Sequence, residues 1–441
     1  MRRDHGQLKH ARGEYGRMRD WRHASRAALI GSAAALAAAV VLPSVATGGV
    51  AATAHAAVNS SAMREAAPAA GTLRSWGNNS FGQLGDGSTS NSTTPVTVKL
   101  PKGTKVTSVR VGCGHSLALT TTGSVLAWGY NHFGQLGNGT RTDSHTPVLV
   151  KLPSGTKVTA IRAGCAHSLA LTSTGSVLAW GDNRGGALGD GTTTDRSKPV
   201  KVKFAKGIKI KAISAGGDNF GLALTVAGKV LAWGDNRFGQ LGDGTTISRL
   251  KPVRVKLPGG TVIKNIAGGG FHALAISTAG LLFAWGLNDE GQLGDGTNIN
   301  HTFPERIVIL LKGVGPVTGM AAGCSHTLVL TSSGAVLAWG YNAFGQLGNG
   351  TTTNSNIAVR SDLLVGLTVK AVSAGCFDSY ALTTSGAVLA WGNNDSGELG
   401  DGSIVGIADS PVQVSLPARL LAVAIGTGPE AVSSEAIVRR R

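Results

Sequence analysis

Four histidines of this sequence recur at a spacing that could assemble a metal centre. They share one position of a repeated unit and are His115, His167, His272 and His326. Asn219 and Asp378 fill that position in two further units. A ring of imidazoles could hold zinc or copper, but nothing else in the sequence converges on these four. We therefore expect each imidazole to hydrogen-bond a backbone group near a strand end, and we predict no metal and no cofactor.

Four cysteines share a second position of the repeat and form two pairs, each 52 residues apart: Cys113 with Cys165, and Cys324 with Cys376. In an oxidising compartment each pair could close a disulfide. Equivalent points on neighbouring units are often farther apart than about 7 Å, the reach of a disulfide. We therefore expect four separate, buried, apolar side chains, with the two disulfides as the alternative.

Recurring Asp-Gly and Asn-Gly pairs, such as Asp86-Gly87 and Asn138-Gly139, could suggest calcium loops. Each loop offers one carboxylate, whereas calcium takes about six to eight oxygen ligands, so these pairs are interpreted as turns. The sequence has no Gly-x-Ser-x-Gly motif and no phosphate-binding loop. We predict that the protein is not an enzyme. The alternative is a lyase or hydrolase whose catalytic groups meet in a central channel.

All these residues are positioned by one repeat, Trp-Gly-x-Asn-x-x-Gly-Gln-Leu-Gly, which first appears at Trp76. The Trp returns at steps of 52 to 54 residues, at Trp128, Trp180, Trp233, Trp285, Trp339 and Trp391. One such unit cannot bury its apolar face alone, so the units must stack into a continuous core. We expect the tryptophans to pack between units, each with one hydrogen-bond partner for its indole N–H.

One unit contains four short strands. Val106–Val111 and His115–Thr120 alternate between apolar and polar residues, Thr121–Gly123 provides a hairpin turn, and Ser124–Trp128 is the third strand. We place the outer strand at Pro147–Leu152. Four strands per unit are typical of a propeller blade.

The chain ends complete the count of units. Residues 71–76 resemble the third strand of a unit that lacks its first two strands. Leu420–Gly426 and Glu430–Ser433 resemble those missing strands. The sequence therefore predicts an all-β, seven-bladed β-propeller of four-stranded blades over residues 71–434, closed by N- and C-terminal strands in one shared blade. We predict that residues 435–441 form a basic C-terminal tail.

Residues 1–56 have the pattern of a secretion signal, with a basic segment to Arg26 and an apolar run from Ala27 to Leu42. The expected cleavage lies between Ala56 and Ala57, which leaves residues 57–70 as a linker. We predict a protein that is secreted or associated with the cell envelope, with no membrane span after cleavage. An uncleaved anchor is the alternative, although 16 apolar residues are short for a membrane span.

The unit Ala-Gly-x-x-His-Ser-Leu-Ala-Leu-Thr…Gly-x-Val-Leu-Ala-Trp-Gly-x-Asn-x-x-Gly-Gln-Leu-Gly resembles the regulator of chromosome condensation repeat, over about residues 71–434. The resemblance implies a seven-bladed propeller closed by both chain ends. The eukaryotic founder of that family is a nuclear guanine-nucleotide exchange factor for a small GTPase. Its activity depends on a protruding insertion, for which the even repeat steps leave no room, so nucleotide exchange is a minor alternative here.

Variable positions two to five residues after each Trp are better functional candidates, because the repeat does not explain them. They supply an aromatic and arginine set of the kind that interfaces use: Phe81, Tyr130, Phe133, Arg184, Arg237, Phe238, Tyr341 and Phe344. The formal net charge is +17, and lysines cluster between Lys198 and Lys211. We therefore predict a monomeric scaffold that binds a protein or an anionic cell-envelope polymer, and we expect no nucleic-acid partner. Phe side chains that only cover the seams between blades, and a solvated lysine edge, are the structural alternatives.

Overall fold

The computed structural model describes residues 71–440, apart from residues 218, 364, 365 and 405. Within these ranges the chain contains no helix and forms 28 strands in seven four-stranded antiparallel sheets. The first strands are β3 (Val106–Val111), β7 (Val158–Ala163), β11 (Ile210–Ala215), β15 (Ile263–Gly268), β19 (Val317–Ala322), β23 (Val369–Ala374) and β27 (Leu420–Gly426). The second strands are β4 (His115–Thr120), β8 (His167–Thr172), β12 (Phe220–Thr225), β16 (His272–Ser277), β20 (His326–Thr331), β24 (Asp378–Thr383) and β28 (Ser433–Arg440).

The third strands carry the repeated tryptophans and are β5 (Val125–Gly129), β9 (Val177–Gly181), β13 (Val230–Gly234), β17 (Leu282–Gly286), β21 (Val336–Gly340), β25 (Val388–Asn393) and β1 (Thr72–Gly77). The fourth, outermost strands are β6 (Ser144–Leu149), β10 (Arg196–Lys201), β14 (Arg249–Arg254), β18 (His301–Ile307), β22 (Ser355–Arg360), β26 (Ile407–Gln413) and β2 (Ser92–Thr97).

Each sheet is one blade. Blades 1 to 6 follow the chain, from β3–β6 in blade 1 to β23–β26 in blade 6. Blade 7 has the strand order β27-β28-β1-β2, so both chain ends contribute to it. The first strand of each blade contacts the first strand of the next, and β27 contacts β3, which closes the ring. The predicted seven-bladed propeller with a shared blade is confirmed.

The hydrophobic core lies between blades, because both faces of each second and third strand are buried. Leu117 and Val125 of blade 1 pack with Ile161 and Trp180 of blade 2, and all four side chains are almost inaccessible. The tight turn between the second and third strands of blade 1 places Gly123 at φ +84°, where a side chain would be strained.

Every repeated tryptophan is fully buried at the seam between its own blade and the preceding one. The indole N–H of Trp128 donates to the carbonyl of Gln83 over 2.8 Å, and Trp180 donates to Gln135 over the same distance. The equivalent bond recurs for the other five tryptophans. The expectation that each Trp would pack between blades with one partner is confirmed.

Three predicted boundaries are wrong. The outer strand of blade 1 is Ser144–Leu149 rather than Pro147–Leu152, so Pro147 lies inside an edge strand, where its missing N–H is harmless. The second strand of blade 7 begins at Ser433, not at Glu430. That strand continues to Arg440, so the predicted tail over residues 435–441 is largely a strand that pairs with both β27 and β1.

The cysteines form two disulfides, Cys113–Cys165 and Cys324–Cys376, which overturns the expectation of four separate thiols. The Cα atoms of each pair lie only 4.5 and 4.6 Å apart. Equivalent residues approach this closely because they follow the first strands, which contact one another around the centre of the ring. Each disulfide therefore joins two neighbouring blades, 1 with 2 and 5 with 6.

The histidines meet the expectation in part. His115 Nε2 contacts the Ser168 hydroxyl of the next blade at 3.0 Å, and His272 and His326 make the same contact with Thr327 and Ser379. These three rings therefore have a side-chain hydroxyl across the seam as a partner, while backbone hydrogen bonds at Cys165 and Phe220 also act on His115 and His167. In blade 3 the position belongs to Phe220, which pairs with Gly234, and not to Asn219.

No helix among the described residues has the length and apolar character needed to cross a membrane. The predicted signal peptide, residues 1–56, and the predicted linker, residues 57–70, lie outside the described residues.

Candidate interaction face

Two sets of connections open on the same face of the ring, which we call the loop face. One set joins the first and second strands of each blade, and the other joins the third and fourth strands. Backbone hydrogen bonds tie them together, as from Tyr130 N to Gly114 O and from Tyr341 N to Ser325 O, both at 2.8 Å.

A buried asparagine, three residues after each Trp, sets the shape of each long loop. In blade 1 the Asn131 side-chain oxygen accepts a hydrogen bond from Leu136 N at 3.0 Å. Its amide nitrogen donates to the carbonyls of Thr140 and Thr142 at 3.2 and 2.9 Å. The repeated Asn, Gly, Gln and Leu thus build the loop, while the position five residues after Trp is partly exposed at its surface in every blade.

The first aromatic group spans the loops of blades 7, 1 and 2. The rings of Phe81 and Tyr130 lie 4.6 Å apart across the seam between blades 7 and 1. Tyr130 and Phe133 meet edge to face at 6.1 Å, and the Arg184 guanidinium of blade 2 lies 4.5 Å above the Phe133 ring. The rings are half-buried and Arg184 is exposed, so the group both covers the seams and presents apolar area to solvent.

Two further groups lie farther around the ring. The Arg237 guanidinium lies 5.8 Å from the Phe238 ring and 5.7 Å from the Phe271 ring. Tyr341 lies 6.2 Å from Phe344. The predicted residues therefore lie on one face but in three groups, at the loops of blades 7 to 2, 3 to 4, and 5 to 6.

Both arginines are held by carboxylates of their own loops. Arg184 Nη2 lies 2.9 Å from Asp182 Oδ2, and Arg237 Nε lies 2.9 Å from Asp235 Oδ2. Burial alone would raise the pKa of Asp182, but hydrogen bonds from Arg184 and Asn219 lower it overall. Each guanidinium is thus paired with a carboxylate while it lies over an aromatic ring, before any partner arrives, which reduces the entropy lost on binding.

The sequence prediction missed His132, Phe271 and Phe377. Phe377 lies 4.9 Å from Phe344, and His132 lies 5.2 Å from Phe133. Phe271 and Phe377 precede the second strand, at the position held by Gly114 in blade 1. That position varies from blade to blade, so comparing the connections between first and second strands in the same way would have found both phenylalanines.

The four histidines lie between blades, away from this face's surface, and are fully buried. Burial lowers the pKa of His115, His272 and His326 to about 3 and that of His167 to about 4. The rings are therefore neutral at physiological pH. Ser168 Oγ donates its hydrogen to Gln135 O at 3.0 Å, so it accepts a hydrogen bond from the N–H at His115 Nε2. This hydrogen bond links blades 1 and 2, and because His115 Nε2 carries the hydrogen it has no lone pair with which to bind a metal.

Comparison with known proteins agrees with this architecture. The RCC1-like domain profile matches residues 9–431 of the chain. The chain belongs to the RCC1-like domain family. It is 35% identical over 332 residues to the ultraviolet-B receptor UVR8 of Arabidopsis thaliana, and the aligned region covers 75% of each protein. It is 30% identical over 394 residues to the RCC1 domain-containing mitochondrial protein RUG3 of Arabidopsis thaliana, covering 80% of this chain and 86% of that protein.

A third relative is the human E3 ubiquitin-protein ligase HERC2, 35% identical over 281 residues, which are 64% of this chain but 6% of the ligase. Among solved structures, Prp20p from Saccharomyces cerevisiae superimposes with a TM-score of 0.75 at 25% identity, over 84% of this chain and 92% of that one. Its structure was determined together with its binding properties to Gsp1p and histones. The resemblance to the regulator of chromosome condensation family is thereby confirmed.

Proposed function

We propose that this protein is an exported, non-catalytic propeller that binds another protein through the aromatic groups of its loop face. The observation that carries this proposal is the first aromatic group, in which half-buried rings and a fixed arginine occupy positions that the repeat leaves variable. Aromatic and arginine side chains held rigidly in this way are the residues that dominate protein interfaces. Prp20p, which has the same fold, binds the proteins Gsp1p and histones.

A paired set of variants tests the binding face. Tyr130→Ala together with Phe133→Ala removes the centre of the first group. Lys157→Ala is the control, because Lys157 directly precedes β7 and lies on the face of the ring opposite the loop face. In capture from cell-envelope fractions, a partner should bind the wild type and the control but bind the double variant at least about 30-fold more weakly, as for hot-spot residues worth about 2 kcal/mol. A partner set that is identical for all three proteins contradicts the proposal.

Export has its own test. Fractionation followed by N-terminal sequencing should find the mature chain outside the cytoplasm and beginning at Ala57. An intact chain retained in the cytoplasm contradicts export without affecting the binding face. Gel filtration with light scattering checks the expected monomer.

A group of lysines at the outer edge of blades 1 to 3 favours a second candidate function, contact with an anionic cell-envelope polymer. Its members are Lys151, Lys198, Lys203 and Lys251. A Cβ built on Gly139 would lie 3.3 Å from Lys151 Nζ and 3.1 Å from Lys198 Cε. One built on Gly191 would lie 2.9 Å from Lys251 Cε and 3.7 Å from Lys203 Nζ. Lysines of neighbouring blades thus converge at two successive seams. Polymer binding that weakens with salt and with Lys151→Gln plus Lys198→Gln would support this candidate; binding indifferent to both would not.

A further inference from the structure

The centre of the ring on the loop face holds a cluster that the proposed function does not use. The connection between β27 and β28 crosses this centre and is buried almost throughout. Gly428 lies against the backbone of Val111 in blade 1, and Cys376 N of blade 6 donates to Ala431 O at 2.9 Å. The closing blade therefore places a segment of its own over residues of several other blades.

Glu430 of that connection points toward the first disulfide. Its side chain is only 3% exposed, and its Oε2 lies 3.4 Å from Cys113 Sγ. A Cβ built on Gly217 of blade 3 would lie 2.5 Å from Glu430 Cδ, so the absence of a side chain at Gly217 makes room for the carboxyl group. A carboxyl, Cys113 and Cys165 are thus brought together from three blades.

The two disulfides differ at this point. Ligand atoms of Cys113, Cys165 and Glu430 all lie within 4.8 Å of one another, and among the described residues no other group of three His, Cys, Asp or Glu side chains is this close. The Cys324–Cys376 pair, in the same register and with nearly the same Cα separation, has no third ligand of this kind within that range among the described residues. The chain therefore contains a matched internal control.

We propose that reduction converts the Cys113–Cys165 disulfide, together with Glu430, into a binding site for a thiophilic divalent cation such as Zn²⁺. Two thiolates and one carboxylate are ligands that zinc accepts, and a fourth tetrahedral position stays open for water. Thiolates on one zinc ion lie about 3.8 Å apart, given Zn–S bonds of about 2.3 Å, a separation that Cα atoms 4.5 Å apart can supply.

A dithiol reductant gives two electrons and two protons to the disulfide, and the reductant becomes a disulfide while Cys113 and Cys165 become thiols. Zinc then displaces the two thiol protons to the solvent. In an oxidising compartment the disulfide links blades 1 and 2 covalently, and in a reducing compartment the same residues bind a cation. Neither state depends on the partner-binding face.

Zinc stoichiometry of the full-length chain tests this proposal. After reduction by a water-soluble phosphine, which becomes the phosphine oxide with oxygen from water, we expect one zinc per chain; the oxidised chain should bind none. Cys324→Ser with Cys376→Ser should keep the site, and Cys113→Ser with Cys165→Ser should abolish it. After reduction, cobalt should give thiolate charge-transfer absorption in the wild type and in Cys324→Ser with Cys376→Ser, but not in Cys113→Ser with Cys165→Ser.

Glu430→Gln checks the third ligand and should weaken zinc binding at least about tenfold. Circular dichroism of every reduced variant shows whether the ring stays folded. Equal zinc binding by the two cysteine double variants, folded or not, overturns the proposal, as does failure of the reduced wild type to bind zinc. Unchanged affinity in Glu430→Gln overturns the role of the carboxylate.

Discussion

The seam between blades 1 and 2 shows how a regular junction of this ring is built. The Trp180 indole and the Ser168 hydroxyl both donate to the carbonyl of Gln135, at 2.8 and 3.0 Å. His115 completes the junction by donating to Ser168. The four groups are fully buried and form a neutral hydrogen-bonded chain across the seam.

The seam between blades 6 and 7, where the chain ends meet, uses the same positions with acidic groups. Asp378 replaces the histidine, and Glu398 replaces the glutamine while keeping the bond from the Trp76 indole to its carbonyl at 2.8 Å. Tyr380 Oη lies 2.8 Å from Asp378 Oδ2 and 2.7 Å from Glu398 O. The phenol has one hydrogen, so both bonds form together when a protonated Asp378 donates to Tyr380 and Tyr380 donates to Glu398 O.

Burial favours the neutral form of the titratable groups in both seams, but it shifts their pKa values in opposite directions. It lowers the pKa of His115 to about 3 and raises that of Glu398 to about 7. Burial, followed by the nearby Glu398 charge, raises the pKa of Asp378 well above its ordinary value. Burial likewise raises the pKa of Glu435, which stands in blade 7 where blade 1 has Leu117 and lies beside Ser116 of blade 1, in the seam between blades 7 and 1. The regular seams therefore lose stability in acid, and the two seams of blade 7 lose it in alkali.

The largest expected effect is acid unfolding through the regular seams. Each buried histidine has a folded pKa near 3 to 4 and an ordinary unfolded pKa of 6.5, so only the unfolded chain takes up a proton between these values. Stability is complete above pH 6.5 and falls with pH, by about 3 kcal/mol per histidine at pH 4. Urea unfolding between pH 7 and pH 4 measures this loss.

His326→Phe, which copies the phenylalanine found naturally at Phe220, isolates one proton from this acid response. The slope of unfolding free energy against pH should become shallower by about 1.4 kcal/mol per pH unit below pH 6. A slope identical to that of the wild type would show that the histidines do not control acid stability.

Next in size is loss of a seam tryptophan. Trp180→Ala and Trp76→Ala each remove a fully buried indole and should cost about 3–5 kcal/mol. They should differ in where the ring opens, because Trp76 lies in β1, which pairs directly with β28. Limited proteolysis should release the C-terminal strand first in Trp76→Ala and not in Trp180→Ala. The same first cleavage site in both variants would mean that the closing seam is no weaker than the others.

Glu435 gives a smaller effect in the opposite direction. Its carboxyl group is fully buried, and the Ser116 hydroxyl of blade 1 lies beside it and partly offsets the effect of burial on its pKa. Its pKa is higher in the folded chain than in the unfolded chain, where it is about 4.5. The protonated carboxyl therefore contributes stability fully below pH 4.5, and this contribution is lost as the pH rises through the folded pKa. Glu435→Leu, which restores the side chain found at Leu169, should raise the free energy of unfolding by about 1–3 kcal/mol at pH 8.

Two controls sharpen that test. Glu435→Gln removes the titrating group without restoring the apolar side chain. It should therefore reduce the loss of stability in alkali, but raise the free energy of unfolding at pH 8 by less than Glu435→Leu does. Leu169→Glu should create the same alkaline weakness in a regular seam. Thermal melts at pH 6 and pH 9 compare all three, and a Glu435→Leu variant as sensitive to alkali as the wild type would contradict this account.

Most of the fold follows from the sequence because the Trp spacing and the strand alternation repeat without interruption. Val106–Val111 and His115–Thr120 are predicted to the residue. Errors collect where the repeat degenerates: Ser433–Arg440 lacks the His-Ser-Leu pattern, so the sequence predicts that strand to begin three residues early and to end too soon. The sequence also assigns Asn219 to the histidine position, because blade 3 has one extra residue before Phe220.

The site is less predictable than the fold. Composition and position bring out Phe81, Tyr130 and Phe133, yet which rings touch depends on the angle between blades, which no repeat spacing encodes. The disulfides show the same limit: register alone says that Cys113 and Cys165 are equivalent, but not that the inner strands converge to 4.5 Å between Cα atoms. Residues that are distant in sequence meet at the centre of the ring only because the ring is closed.

The smallest expected effect concerns a single hydroxyl of the regular seam. Ser168→Ala removes the bonds to His115 and to the Gln135 carbonyl and should cost about 1–3 kcal/mol. The seam between blades 3 and 4 already lacks this hydroxyl, since Ala273 stands there, and it carries Phe220 in place of histidine. Adding His115→Phe to Ser168→Ala should therefore cost less than the sum of the two single changes. Simple additivity in a double-mutant cycle would mean that the histidine and the hydroxyl do not act as one unit, and that the contrast between the seams lies in the acidic residues alone.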